Sequence, residues 1–266
     1  MRSMKMFVLF FLLLVVVNLF PGEVAMNSKS SLRATIVYDN NPYDERLKTD
    51  WGFSCLIQGL EKSILFDSGA RGEILLSNME KLGINPEKIQ IVLLSHIHRD
   101  HTGGLAELLS RNQAIEVWLP YFFPADFKEE IRKKGAKVVE VDHSREICKG
   151  ASTSGVIEGW IKEQSLVLDT EKGLVIVTGC AHPRITNILV SVKESFKKNI
   201  YLVFGGFHLA GFSEAEIRDI IAKFLFFGVQ KVGPAHCSGE EARRLFSEEY
   251  QDGFIRIGVG KEIVIQ

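Results

Sequence analysis

LLSHIHRDHTGG, residues 93–104, places three of the chain's seven histidines and an aspartate within six positions. The apolar run QIVLLS (90–95) leads into it and reads as a buried strand. GGLAELLSR (103–111) follows and reads as a short helix. The polar groups therefore occupy a loop at the C-terminal end of a strand, where α/β sheets usually present their sites. Imidazole nitrogens with a carboxylate suit a divalent metal, Zn²⁺ first, with Mn²⁺, Fe or Mg²⁺ as alternatives. His96 and His98, two apart in extended chain, project to the same side. Asp100 and His101 follow as the loop turns, so they can face a second ion. Gly103 and Gly104 would let the backbone turn tightly beside the metals.

Outward from this loop, short apolar runs alternate with amphipathic ones. LRATIVY (32–38), GFSCLIQ (52–58), SILFD (63–67), IEVWLP (115–120) and AKVVEV (136–141) read as strands. RGEILLSNMEKLG (71–83) and PADFKEEIRKKG (124–135) read as helices, each stopped by glycine. In the second half, QSLVLDT and GLVIVTG flank Glu171-Lys172 as a hairpin. RITNILVSVKESF, SEAEIRDIIAKFLFFG and GEEARRLFSEEY read as helices, the second opened by a Ser213/Glu216 capping box. YLVFGG, VQKVGP, FIRIGVG and EIVIQ read as strands. Hairpins early in each half, then strand–helix alternation, predict two mixed sheets packed together with helices outside: an α/β fold of four layers, αββα.

HIHRDH fits the H-x-H-x-D-H signature of the metallo-β-lactamase superfamily, and ILFDSG (64–69) resembles that family's strand ending in an aspartate. WGFSCLI, TGCAHPRITNI, VFGGFHL and GPAHCSG add further matches. Together they resemble the branch that includes a methanopterin-pathway synthase condensing a dihydropterin with ribofuranosyl-aminobenzene phosphate. The likeness runs from about residue 32 to the C-terminus. It implies two metal ions. His182 would complete the site of His96 and His98, and His236 that of Asp100 and His101. Asp67 would hold the ligand loop by hydrogen bonds; its plainer reading is a turn aspartate before Gly69. Many family members carry a bridging aspartate in a TGD-like sequence, and here TGC puts Cys180 in that place. A thiolate there could ligate or bridge metals, or Cys180 could be inert. Cys237 reads as a neighbour of the ligands, or as the oxidised partner of Cys180. His208, at a third strand end, suits a pocket wall or a proton donor to substrate, so Asp100 and His208 are the catalytic candidates. His143 reads as a surface histidine.

The chain has 266 residues, with 32 basic and 33 acidic side chains and 46% hydrophobic residues. That composition excludes a disordered or collagen-like chain and offers no global basic field for nucleic acid. Four cysteines are too few for a disulfide scaffold, and Cys55, in an apolar stretch, reads as core. Arg2 and Lys5 precede an unbroken apolar run from Met6 to Val17, broken by Pro21-Gly22. Residues 1–26 read as a signal peptide or an N-terminal membrane anchor through residues 6–20, implying an exported or outward-facing protein, and 27–266 as one domain. The expected function is a metal-dependent hydrolase using a metal-bound hydroxide on an ester or phosphoester class of small molecule. Two alternatives stand beside it: a C–N bond-forming synthase, which export would argue against, and a non-catalytic metal-binding protein on the same fold.

Overall fold

The computed structural model describes residues 31–265. The stretch 1–26, read above as a signal peptide or anchor, lies outside the described residues; among those described, no helix is long and apolar enough to cross a membrane. The first sheet has seven strands in the order β13-β1-β2-β3-β4-β5-β6. These are β1 Arg33–Tyr38, β2 Ser54–Gln58, β3 Ile64–Phe66, β4 Ile91–Leu93, β5 Glu116–Pro120, β6 Lys137–Val141 and β13 Glu262–Val264. The second has six, in the order β12-β11-β10-β9-β8-β7. They are β7 His143–Cys148, β8 Ala151–Gly155, β9 Leu166–Thr170, β10 Gly173–Thr178, β11 Ile200–Gly206 and β12 Lys231–Ala235. Each sheet is antiparallel on one side and parallel on the other, β3 to β6 in the first and β10 to β12 in the second.

Period-two alternation builds the layers. Ile91 and Leu93 of β4 and Val175 and Val177 of β10 face each other's sheet in a shared core. Val92 faces the other way, toward α1 (Gly72–Lys81), α3 (Leu105–Arg111) and α4 (Ala125–Lys133). Leu174 and Ile176 face α5 (Ile185–Phe196), α6 (Glu214–Phe226) and α7 (Glu240–Tyr250). The αββα sandwich follows. Every parallel strand that matters to the site, β3, β4, β10, β11 and β12, ends at the same edge of it.

Three segments differ from the sequence reading. FIRIGVG is not a strand: it makes only isolated bridges, Val232 to Phe254 and Pro42 to Val259. Gly258 packs against the Asn41–Pro42 backbone, and Gly260 turns at φ +92, so the segment cannot run straight beside a partner. Conversely, β7 and β8 gave no apolar signal. HSREIC lies at the sheet edge, mostly solvated, and ASTSG relies on small residues. His143 begins that edge strand with its side chain 79% exposed, as a surface histidine should. The Glu171-Lys172 hairpin and the Ser213/Glu216 capping box form as expected.

Candidate metal centre

After β4 the chain leaves the sheet through Leu94 and Ser95, and the His96 ring enters the cleft fully buried. His98 caps a single turn, α2 (Arg99–Thr102), which brings Asp100 and His101 in behind it. The turn sits against the segment after β3. A Cβ on Gly103 would stand 2.2 Å from the Ala70 carbonyl oxygen, and one on Gly104 2.1 Å from that of Ser68. Both glycines have ordinary helical torsions. They are needed for close approach, not for a tight turn as the sequence suggested.

Asp67, buried and at φ 56, grips this loop. Its carboxylate accepts from the Ser95 N–H at 2.7 Å, from the Ser95 hydroxyl at 2.7 Å and from His101 Nδ1 at 2.6 Å. Burial pushes its carboxyl well above the usual range. The holding role, not the turn aspartate, is what the geometry bears out.

The second half supplies its groups from three strand ends. After β10, Cys180 and His182 flank Ala181, which is held at φ 64. After β11 comes His208 (φ 52), and after β12 His236 (φ 46) with Cys237. Non-glycine residues rarely adopt such torsions, and their concentration here marks a site whose surroundings impose them. One residue here was not foreseen. Glu163, fully buried just before β9, accepts the backbone N–H groups of Cys180 (2.9 Å), Ala181 (3.0 Å) and His182 (3.0 Å), and also His182 Nδ1 at 3.0 Å. Burial pushes its carboxyl up, but the neighbouring His96 and His182 imidazoles and these hydrogen bonds outweigh that and hold it below the usual range. A lone acid in WIKEQS carries no spacing signal that could have announced it.

The expected residues converge. His96, His98 and His182 offer ligand atoms within 4.8 Å of one another, as do Asp100, His101, Cys180 and His236. His96 belongs to both neighbourhoods, its ring centroid lying 4.5 Å from that of His182 and 4.3 Å from that of His101. Cys180, His208 and Cys237 form a third group with the same spacing. All four cysteines are free and buried.

The donor set fits cations. Nδ1 of His101 faces Asp67, that of His182 faces Glu163 and that of His236 faces the Asn40 amide oxygen at 2.9 Å. Ser95 Oγ, already donating to Asp67, accepts from His96 Nδ1 at 2.9 Å. With the proton on each outer nitrogen, Nε2 is left free to turn a lone pair inward, the arrangement a bound cation requires. His96 Nε2 and His98 Nδ1 meet at 3.1 Å, an approach of two imidazole nitrogens that a shared cation relieves. His236 Nε2 is buried without a hydrogen-bond partner, 3.2 Å from an Asp100 oxygen. Burial and the neighbouring imidazoles lower His96 and His98, and bring His101 down to about 3. These rings stay neutral, the form that binds metal. Burial raises the Asp100 carboxyl, but His236 and His101 more than reverse that, and it stays ionised.

Cys180 Sγ stands 3.2 Å from His101 Nε2, beside Asp100 and His236. The hydrogen bond to Cys237 and burial both raise its thiol. Burial also opposes ionisation of Cys237, but donation from Cys180 and His208 lowers it overall. The loop over residues 39–51 borders the cleft. Asn40 holds His236, and the Trp51 ring stands 4.8 Å from it. On the other flank, Trp160 stands 5.0 Å from His182 and 5.8 Å from His208. There a cavity of about 670 Å³ opens, walled by Trp160, His182, His208 and Phe212, with Arg184 and Lys223 adding positive charge.

A family model, the metallo-β-lactamase superfamily, matches residues 52–196. The 7,8-dihydropterin-6-methyl-4-(β-D-ribofuranosyl)-aminobenzene-5′-phosphate synthase of Methanocaldococcus jannaschii is 32% identical, the match covering 86% of this chain and 95% of that one. An N-acyl homoserine lactonase of Bacillus cereus is 28% identical over 78% of this chain and 90% of its own. Among solved structures, a metal-dependent hydrolase of the β-lactamase superfamily superposes with a TM-score of 0.73 at 30% identity. That match covers 87% of this chain and 98% of the other.

Proposed function

The chain belongs to the metallo-β-lactamase superfamily, and on that premise we propose that it is a metal-dependent synthase joining a dihydropterin to a phosphorylated ribosyl-aminobenzene. The observation that carries this reading is the cavity beside His182 and His208. At about 670 Å³ it has the size of sites that enclose drug-sized molecules. Trp160 and Phe212 offer faces to flat rings. Arg184 and Lys223 offer charge to a phosphate, partly offset by Glu216 and Asp219 in the same wall. The likeness to the M. jannaschii synthase, nearly end to end, supplies the substrates.

His96, His98 and His182 would hold one cation, and Asp100, His101, Cys180 and His236 a second. Bound there, divalent metal supplies Lewis acidity and neutralises charge on a departing group. The chain itself positions the partners. Trp160 and Phe212 stack a ring at the mouth, and Arg184 fixes the phosphate. In the joining step the arylamine nitrogen bonds to the pterin methylene carbon, diphosphate leaves with the bonding pair, and the nitrogen loses a proton.

The test mixes the metal-loaded protein with the dihydropterin diphosphate and ribosyl-aminobenzene 5′-phosphate, and follows products by mass spectrometry. Joined product and diphosphate in equal amounts are expected. Phosphate or diphosphate release with no joined product would sink the synthase. It would leave the hydrolase reading, which the 30% identity to a solved metal-dependent hydrolase favours.

A further inference from the structure

Neither metal position described above uses Cys237 or His208. Their ligand atoms and the Cys180 sulfur lie within 4.8 Å of one another. Two thiolates on one tetrahedral zinc stand about 3.8 Å apart, given Zn–S bonds of about 2.3 Å, so the spacing is within reach. The backbone is arranged to allow this approach. A Cβ on Gly206 would stand 2.8 Å from Cys237 Sγ and 3.2 Å from the Cys180 Cα. His208 is held at φ 52, and its Nδ1 is buried with no hydrogen-bond partner. A buried imidazole nitrogen without a partner needs an explanation.

We propose that Cys180, Cys237 and His208 hold a soft divalent cation of their own, with the Cys180 thiolate shared between it and the neighbouring position. Two sulfurs and one nitrogen select zinc over harder ions, and three donors leave one position open. The proposal also gives a reason for a thiolate where a carboxylate is expected: sulfur bridges soft ions readily. It does not depend on which reaction the chain catalyses.

The full chain is loaded with zinc or cobalt(II), and metal per chain is counted by elemental analysis. Cobalt–thiolate charge-transfer absorption is read in parallel. Cys237→Ala and His208→Ala should each carry one metal equivalent fewer than wild type. Cys237→Ala should lose part of the thiolate band and keep the part due to Cys180. His98→Ala should lose metal with the band intact. Circular dichroism checks folding, and Cys237→His should regain the missing equivalent. A folded Cys237→Ala protein with wild-type metal and an unchanged band would overturn the site. So would a Cys180–Cys237 disulfide in the purified wild type. Should the variants fail to fold, a wild-type band of single-thiolate intensity overturns it equally.

Discussion

Two buried carboxylates, one in each half of the molecule, do the same work by different means. Asp67 fixes the loop after β4 through one backbone N–H, one hydroxyl and one imidazole. Glu163 fixes the loop after β10 through three consecutive backbone N–H groups and one imidazole. Burial opposes charge on both, yet Asp67 is raised while Glu163 is lowered. The difference lies in the neighbours: His96 and His182, helped by the converging amides, outweigh the desolvation of Glu163, whereas Glu163 and Asp100 add to that of Asp67. The lesson is that the first loop is shaped by its own sequence and only steadied by Asp67. The second takes its shape, with Ala181 at φ 64 and Arg184 at φ 75, from the carboxylate that its amides surround.

That contrast breaks most directly at Glu163. Glu163→Ala leaves three amides and His182 Nδ1 buried without an acceptor, and should cost about 3–5 kcal/mol in denaturant unfolding. Glu163→Gln keeps one oxygen but turns an amide donor on the His182 donors, so it should fall between Ala and wild type. Because the folded pKa lies below the ordinary 4.5, this stability is present above pH 4.5 and is lost as pH falls below it. A Glu163→Ala protein as stable as wild type at pH 7 would remove the argument. Asp67→Asn should behave differently. The loop keeps its Gly103 and Gly104 packing, so the fold should survive with a loss of about 1–2 kcal/mol. Misaligning the His101 ring should weaken cation binding about 10–100-fold, measurable by competition with a chelator. Equal effects of the two substitutions on stability and on metal would erase the distinction drawn here.

The same contrast decides what could be read from the sequence. His96, His98, Asp100 and His101 are contiguous, so strand-end placement and residue type were enough. His182, His208 and His236 are scattered over about 55 residues, and the strand before and helix after each one gave the only local cue. Glu163 was invisible because its ligands are backbone amides of residues 180–182, which no side-chain pattern announces. The layers were legible wherever alternation was strong, as in β4 and β10. They were not in β7 and β8, where polar and small residues pair at a solvated edge. FIRIGVG misled in the opposite direction. Its alternation matches a strand, but its glycines serve a bend around Pro42.

The smallest effect is expected where the cleft meets solvent, at a carboxylate fixed by side chains alone. Asp50 accepts from the Tyr38 hydroxyl and from Arg71 Nε at 2.8 Å, directly before Trp51. Burial raises its carboxyl, but these two donors outweigh that and leave it below the ordinary 3.8. Its stabilisation is therefore present above pH 3.8 and is lost as pH falls through the lowered value. Its side chain is 26% exposed and that of Arg71 49%, so solvent screens the pair and Asp50→Asn should cost under about 1 kcal/mol at pH 7. The variant's unfolding curve should begin to approach that of wild type as pH falls below 3.8 and converge on it below the lowered value. Trp51 fluorescence should report a looser ring against His236 while metal content stays at the wild-type level. If Asp50→Asn instead lost metal or several kcal/mol, this solvated carboxylate would be supporting the cluster as Glu163 does, and the division between buried holders and rim would fail.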